Sequence, residues 1–282
     1  MSRTTLRSTA PALALCLLLL LVLAAGCGGG RGSARRSPVL LATTTSTEDS
    51  GILEEFVKRF EARDPRFEVK SVAVGSGAAL FMGQNGDADI LITHEPVAEK
   101  EFVERGDAER TFKLMHNDFI VVGPPSDPAR VKGMKDGAEA VKAIAGAGAT
   151  FVSRGDASGT NAMEMSLWGK AGVDPAGQSW YQLSGQSMGA TLRIANEKNA
   201  YTLTDRATFI VMSPYLELRK LVEGDPTMKN QYTVTIVNHR KFPRVNNRGA
   251  RAFARFLVRP DTRSLIRDFG LSRYKQHLFY LD

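Results

Sequence analysis

Four stretches of this 282-residue chain place hydroxyl side chains and glycines directly ahead of an amphipathic run. They are Thr43-Thr44-Thr45-Ser46-Thr47, Gly75-Ser76-Gly77, Arg154-Gly155-Asp156-Ala157-Ser158-Gly159-Thr160 and Ser184-Gly185-Gln186-Ser187. A turn that opens a helix leaves backbone N–H groups unpaired at the positive end of the helix dipole, where anions bind. Glycine lets the backbone come close to a ligand, and hydroxyls add donors that rotate to fit. Ordinary helix capping accounts for any one such turn. Four of the same chemistry, one of them carrying an arginine, point to an anion pocket. Arg154 is the residue on which that pocket depends most, because a planar guanidinium engages two oxygens at once. The alternative for Arg154 is a salt bridge to Asp156 that only shapes the loop.

The elements that present these turns follow from the apolar pattern. Val39 to Ala42 reads as a buried strand, Thr43 to Thr47 as a turn, and Ile52, Leu53, Phe56, Val57 and Phe60 as one helical face ended by Asp64-Pro65. Phe67 to Val74 is a second strand, Gly75 to Gly77 leads into a short helix, Asp89 to Ile92 is a strand and Val97 to Arg105 a helix. Phe119 to Val122 forms a strand closed by Gly123-Pro124-Pro125. Beyond it the pattern predicts a helix around Ala138 to Ala145, a strand Thr150 to Ser153, and helices carrying Leu167 and Leu192. Ala207 to Met212 reads as a strand, as does the alternation Tyr232, Val234, Ile236, and two helices on Phe253 and Ile266 close the chain. Strands alternating with helices imply an α/β fold with parallel sheets covered on both faces. Such sheets bring their turns together at the carboxyl ends of the strands.

The N-terminus bears on the compartment. Arg3 and Arg7 precede a wholly apolar run from Ala12 to Ala25, a basic region and a core too short for a permanent bilayer span. Leu23-Ala24-Ala25-Gly26-Cys27 resembles a bacterial lipobox, with Ala24 where leucine is commonest. Residues 1–26 are therefore expected to be a signal peptide, Cys27 the lipidated residue and 27–37 a flexible tether rich in glycine and arginine. An ordinary secretory signal with an incidental Cys27 is the alternative. Cys16 leaves with the signal, so the folded part has no thiol chemistry or disulfide. Of the formal net charge of +7, Arg3 and Arg7 leave as well. The remaining basic residues are scattered without interleaved aromatics, which excludes a nucleic-acid surface. His94, His116, His239 and His277 lack metal-ligand spacing and read as surface or hinge residues.

Leu41-Ala42-Thr43-Thr44-Thr45-Ser46-Thr47, Ser153 to Thr160 and Ala200-Tyr201-Thr202-Leu203-Thr204-Asp205-Arg206 closely resemble the tungstate-binding component of bacterial ABC uptake systems. The resemblance runs from about Val39 to Phe269, and Asn247 to Phe253 with Asp268-Phe269-Gly270 also looks like the closing helices of molybdate and sulfate binders. It implies a type II periplasmic-binding-protein fold, two α/β lobes joined by a hinge with the anion site between them. Lobe one would be 38–117 with 233–282 and lobe two 118–232. By that likeness Thr45, Ser46, Ser76, Arg154, Ser158 and Thr160 face the anion, with Thr44, Gly77 and Gly159 completing the set. The implied ligand is tungstate or a related oxyanion such as molybdate, held through its oxygens with no protein metal ligands and no cofactor. The implied partners are an ABC permease in the membrane and the lipid anchor, with the protein monomeric and extracytoplasmic.

Two readings compete with this one. Arg154 to Thr160 also resembles the loop of phosphate-binding proteins, in which an aspartate accepts the proton of hydrogen phosphate. If Asp156 faced the ligand, phosphate would be favoured; if it paired with Arg154 from behind, a fully ionised oxyanion would be. Gly185-Gln186-Ser187-Met188-Gly189 fits the G-x-S-x-G pattern of a serine hydrolase, which would recruit His239 or His277. Ser179 to Ser184 is a poor buried strand for that role, and no enzyme activity is expected. An extracytoplasmic sensor lobe would bind the same anion but would need a signalling partner.

Overall fold

β1 (Ser37–Thr44) lies one strand in from an edge of the sheet, and its last four residues are buried without a break. The computed structural model describes residues 35–281, so the expected signal 1–26, Cys27 and nearly all of the tether lie outside the described residues. From Arg36 onward the chain forms one compact unit. β2 (Phe67–Val74) and β3 (Ile90–Thr93) flank β1 and run parallel to it. β9 (Lys229–Val237) then pairs antiparallel with β3 and with β4 (Ala108–Gly123). β4 changes partners along its length. Ala108 to Asp118 lie on β9, whereas Phe119 to Val122 lie on β7 (Thr202–Asp205), and Val121 to Gly123 on β8 (Arg219–Val222). The seven-stranded sheet thus runs β2-β1-β3-β9-β4-β7, with β8 also on β4. A separate parallel pair, β5 (Phe151–Ser153) and β6 (Tyr181–Leu183), completes the second lobe.

Eleven helices cover these strands among the described residues: α1 (Thr45–Asp49), α2 (Ile52–Arg63), α3 (Ser76–Asn85), α4 (Pro96–Glu104), α5 (Gly137–Gly146), α6 (Gly159–Ala171), α7 (Met188–Glu197), α8 (Arg206–Met212), α9 (Asn247–Leu257), α10 (Pro260–Asp268) and α11 (Leu271–Tyr274). None of them is long and apolar enough to cross a membrane. Strand alternation divides the cores. Ile90 and Ile92 join α2 and α9 in one core, where the Phe60 and Phe253 rings meet edge-on at 5.0 Å. Leu91 points to the opposite face, with Leu80 and Phe102. In the second lobe Phe119 and Val121 face Phe151, Leu167 and Trp168, while Ile120 and Val122 face Met188 and Leu192. Each sheet face therefore buries its own apolar set, as the two-residue period of a strand requires.

Three expectations change. The sheet is mixed rather than parallel, because β9 pairs antiparallel with both β3 and β4. The first half of β4 escapes a hydropathy reading because Glu109, Arg110 and Lys113 interrupt its apolar alternation. Ala207 to Met212 is helix α8, not a strand. Its β-branched residues favour a strand in isolation. Asp205 instead caps a helix there, accepting from Thr208 N at 2.9 Å. Ala207 and Ile210 then enter one core and Phe209 another.

Candidate functional site

Three of the four hydroxyl-glycine turns come together at one place. The expected turn Thr43 to Thr47 is in fact the end of β1 followed by the single-turn helix α1. Two of its hydroxyls are spent internally: Thr43 and Thr47 share a hydrogen bond of 2.9 Å, and Thr47 Oγ1 donates to the Thr44 carbonyl at 2.6 Å. Thr44 Oγ1 lies 3.1 Å from Ser46 Oγ, which in turn bonds Tyr232 Oη at 2.9 Å. Thr45 Oγ1 faces the second lobe and accepts from Arg154 Nη1 at 3.4 Å. Ser76 opens α3 and holds the backbone N–H of His94 at 3.1 Å. The second turn touches the third through glycine: a Cβ on Gly77 would lie 3.0 Å from the Ala157 carbonyl oxygen.

The third turn is the centre. Arg154 leaves β5 and is 3% exposed. Its Nη2 pairs with the Asp156 carboxylate, whose other oxygen accepts from Ser158 N at 3.2 Å. Asp156 therefore engages donors of its own loop with both oxygens. Gly155 and Ala157 stand at φ of 61° and 54°. The left-handed region strains a non-glycine residue, and Ala157 holds it at the point where the loop aims the N-terminus of α6. Ser158 caps that helix, accepting from Asn161 N at 3.2 Å. Arg154 Nε and Thr160 Oγ1 are buried without a partner.

The fourth turn does not join them. Ser184 N and Gly185 N donate to the carbonyls of Ser153 and Arg154, both at 2.9 Å, so the turn braces the Arg154 loop from behind. Ser187 caps α7, accepting from Ala190 N at 3.4 Å. The next free amide of that helix, Gly189 N, donates to Asp49 Oδ2 at 3.1 Å. The N-terminus of α7 is thus already occupied by a carboxylate of the same chain. Burial pushes the Asp49 carboxyl above its ordinary range, with the Gly189 bond and the Arg154 charge working against that rise. Of the two histidines that a hydrolase would recruit, His239 bonds Glu109 at 2.8 Å and His277 packs on the Arg267 carbonyl.

Sequence reasoning missed several participants. His94, expected at the surface or hinge, is 4% exposed, with its ring 5.0 Å from Tyr232 and 6.0 Å from Phe119. Burial, followed by the nearby Arg154 charge, pushes its imidazole down to about 3, so it is neutral. Beneath Ser46 runs a buried polar chain. Asn230 Nδ2 donates to Asn117 Oδ1 at 2.7 Å and lies 3.1 Å from Tyr232 Oη, and Asn117 Nδ2 donates to Asp205 Oδ1 at 3.2 Å. Burial raises the Asp205 carboxyl to about 6. The stretch Ala200 to Arg206 thereby proves to be scaffolding. Tyr201 Oη donates to Asp127 at 2.8 Å, and Arg206 grips Asp118 through two bonds of 2.6 and 2.5 Å and Glu223 at 2.8 Å. No local sequence signal marks His94 or the asparagine pair, because their neighbours lie far away in the chain.

Comparison with known proteins identifies the family. Residues 29–261 match the family model described as a PBP superfamily domain. The tungstate-binding protein TupA of Peptoclostridium acidaminophilum is 42% identical over 246 residues, which is 86% of this chain and 85% of the relative. The crystal structure of the tungstate ABC transporter from Geobacter sulfurreducens is 40% identical, with a TM-score of 0.74, over 82% of this chain and 98% of that one. The tungstate-binding protein TupA of Desulfovibrio alaskensis G20 is 41% identical, with a TM-score of 0.72, over 87% and 99%. With an arginine, a set of hydroxyls and a capped helix N-terminus converging between two α/β lobes, the chain belongs to the PBP superfamily and, within it, to the family of tungstate-binding proteins.

Proposed function

We propose that this protein captures tungstate outside the cytoplasm and delivers it to an ABC permease. The observation that carries this reading is the buried Arg154 guanidinium, set among Thr45, Ser158 and Thr160 with Asp156 folded back onto its own loop. Tungstate at pH 7 is a dianion with acceptor oxygens only, so it needs donors and no competing carboxylate. Thr44, Thr45, Ser46, Ser76, Gly77, Arg154, Ser158, Gly159 and Thr160 are the candidate donors. Charge-assisted hydrogen bonds contribute roughly 1.5–3 kcal/mol each. About six of them, less the entropy lost on closing, reach the roughly 12 kcal/mol of a nanomolar complex.

The lobes divide as 38–117 with 233–282 and 118–232, hinged near Asn117 and Tyr232; the change of β4 partners after Asp118 supports the first crossing. The anion binds the turns of one lobe, the other closes over it, and exclusion of water strengthens each hydrogen bond. Cys27 carries the lipid anchor, the chain acts as a monomer, and Ser187 serves as a helix cap with no hydrolytic role. Phosphate is the second reading, and the engagement of both Asp156 oxygens inside its loop counts against it.

The test is calorimetric titration of the soluble fragment from Gly28 with tungstate, molybdate, sulfate and phosphate at pH 7. Tight tungstate binding with weak phosphate binding is expected. Tight phosphate binding would make Asp156 a ligand and replace the reading, and no heat with any of the four would end it.

A further inference from the structure

One buried group at the site has no assignment in the scheme above. His94 follows β3 in the first lobe and covers the first turn of α6 in the second. A Cβ placed on Gly159 would strike His94 at its carbonyl oxygen (2.4 Å) and at Nδ1 (2.5 Å), so only glycine fits beneath the ring. Nδ1 is buried and has no hydrogen-bond partner, although it stands directly against Gly159, the first residue of α6. Arg154 Nε and Thr160 Oγ1, on the turn before α6 and on its second residue, are also buried without partners. Orphaned atoms on His94, on the Arg154 turn and on Thr160 therefore accompany the N-terminus of α6. Leaving such groups unpaired is costly, so their clustering marks a place built for an acceptor.

We propose that His94 is an additional ligand of the captured oxyanion, its Nδ1–H donating across the lobe boundary to an oxygen held at the α6 N-terminus. This rests on the oxyanion-capture reading above. The ring is well prepared for that task. Ser76 fixes its backbone, Tyr232 and Phe119 pack against its ring, and in the Nδ1–H tautomer the neutral ring supplies a donor without adding charge beside Arg154. Because the donor and its target sit on different lobes, the bond forms only on closure. His94 would thus reward the closed, loaded form over the open one.

The experiment compares tungstate titrations of wild type, His94→Phe and His94→Asn, each checked for an unchanged melting profile. The amide of asparagine reproduces the position of Nδ1, whereas phenylalanine fills the space without a donor. His94→Phe is expected to weaken tungstate binding about tenfold or more, the scale of one hydrogen bond to a charged ligand. His94→Asn should restore most of it. Equal affinity of His94→Phe and wild type overturns the proposal. Should His94→Phe fold poorly, ¹⁵N-histidine spectra of the wild type decide: tungstate should produce a protected Nδ1–H signal for His94, and an unmoved Nδ1 resonance overturns the proposal. A wild type that binds no tungstate would instead overturn the capture reading itself.

Discussion

The N-termini of α6 and α7 are nearly the same object in sequence and opposite objects in the fold. Both begin with a serine cap, Ser158 and Ser187, whose hydroxyl accepts from the amide three residues on. Both follow a Gly-containing turn after a short strand of the same two-stranded sheet. At α6 the surroundings are the Arg154–Asp156 pair, Thr160 and the neutral His94, with buried polar atoms left unpaired on Arg154, Thr160 and His94. At α7 the Asp49 carboxylate has entered from the other lobe and taken the amide of Gly189. A helix N-terminus offers positive potential wherever it occurs. Whether it becomes a ligand site depends on what the rest of the fold puts in front of it. In this molecule the carboxylate at the α6 end is paired with Arg154, whereas the one at the α7 end is held on the amide of Gly189.

The contrast can be broken most forcefully at Arg154. Arg154→Ala removes the only guanidinium of the turn and is expected to lower tungstate affinity about 100-fold or more, since two or more charge-assisted bonds go with it. Calorimetry reads the loss, and binding unchanged from wild type would remove Arg154 from the site. Asp49→Ala probes the other helix. It frees the α7 amide and breaks a bond between lobes, so affinity should fall about three- to tenfold while stoichiometry stays at one anion. A second anion in the titration would show that Asp49 alone separates the two helix ends.

A third effect concerns pH. The Asp205 carboxyl, raised to about 6 by burial, holds its proton in the folded protein at pH values where the unfolded chain has released it. Its contribution to stability is therefore fully present below about 4, the unfolded value, and is lost as pH rises through about 6. Asp205→Asn should flatten the pH dependence of the melting temperature between those values. An identical slope in both proteins would show that Asp205 does not titrate there. The smallest effect compares the two caps directly. Ser158→Ala and Ser187→Ala should each cost about 1 kcal/mol in denaturant unfolding. Only Ser158→Ala should also weaken tungstate binding, and a loss in both would dissolve the distinction between the helices.

Much of the scaffold was legible because its signals are local. Ile52, Phe56 and Phe60 at helical spacing marked α2, and the run from Phe67 to Val74 coincided with β2. The chemistry of three turns was legible for the same reason, since hydroxyls, glycines and an arginine declare their donors wherever they stand. The Ser184 to Ser187 turn was legible only as chemistry, and its role as a brace came from its bonds to Ser153 and Arg154. Ala207 to Met212 shows propensity yielding to context: its residue types favour a strand, and the Asp205 cap with two flanking cores makes it a helix.

By itself the sequence determined the alternation of strands and helices, the donor-rich character of the site and the absence of any thiol beyond Cys16 and Cys27. These properties belong to single residues or to short periods along the chain. Only the tertiary structure decided which helix N-terminus keeps its donors, that His94 lies against Gly159, and that the sheet is mixed through β4 and β9. The reason is distance along the chain. Asp49 meets Gly189 across 140 residues and Arg154 meets Thr45 across 109. No local pattern encodes a contact between groups that far apart, and such contacts determine where a dianion can be held.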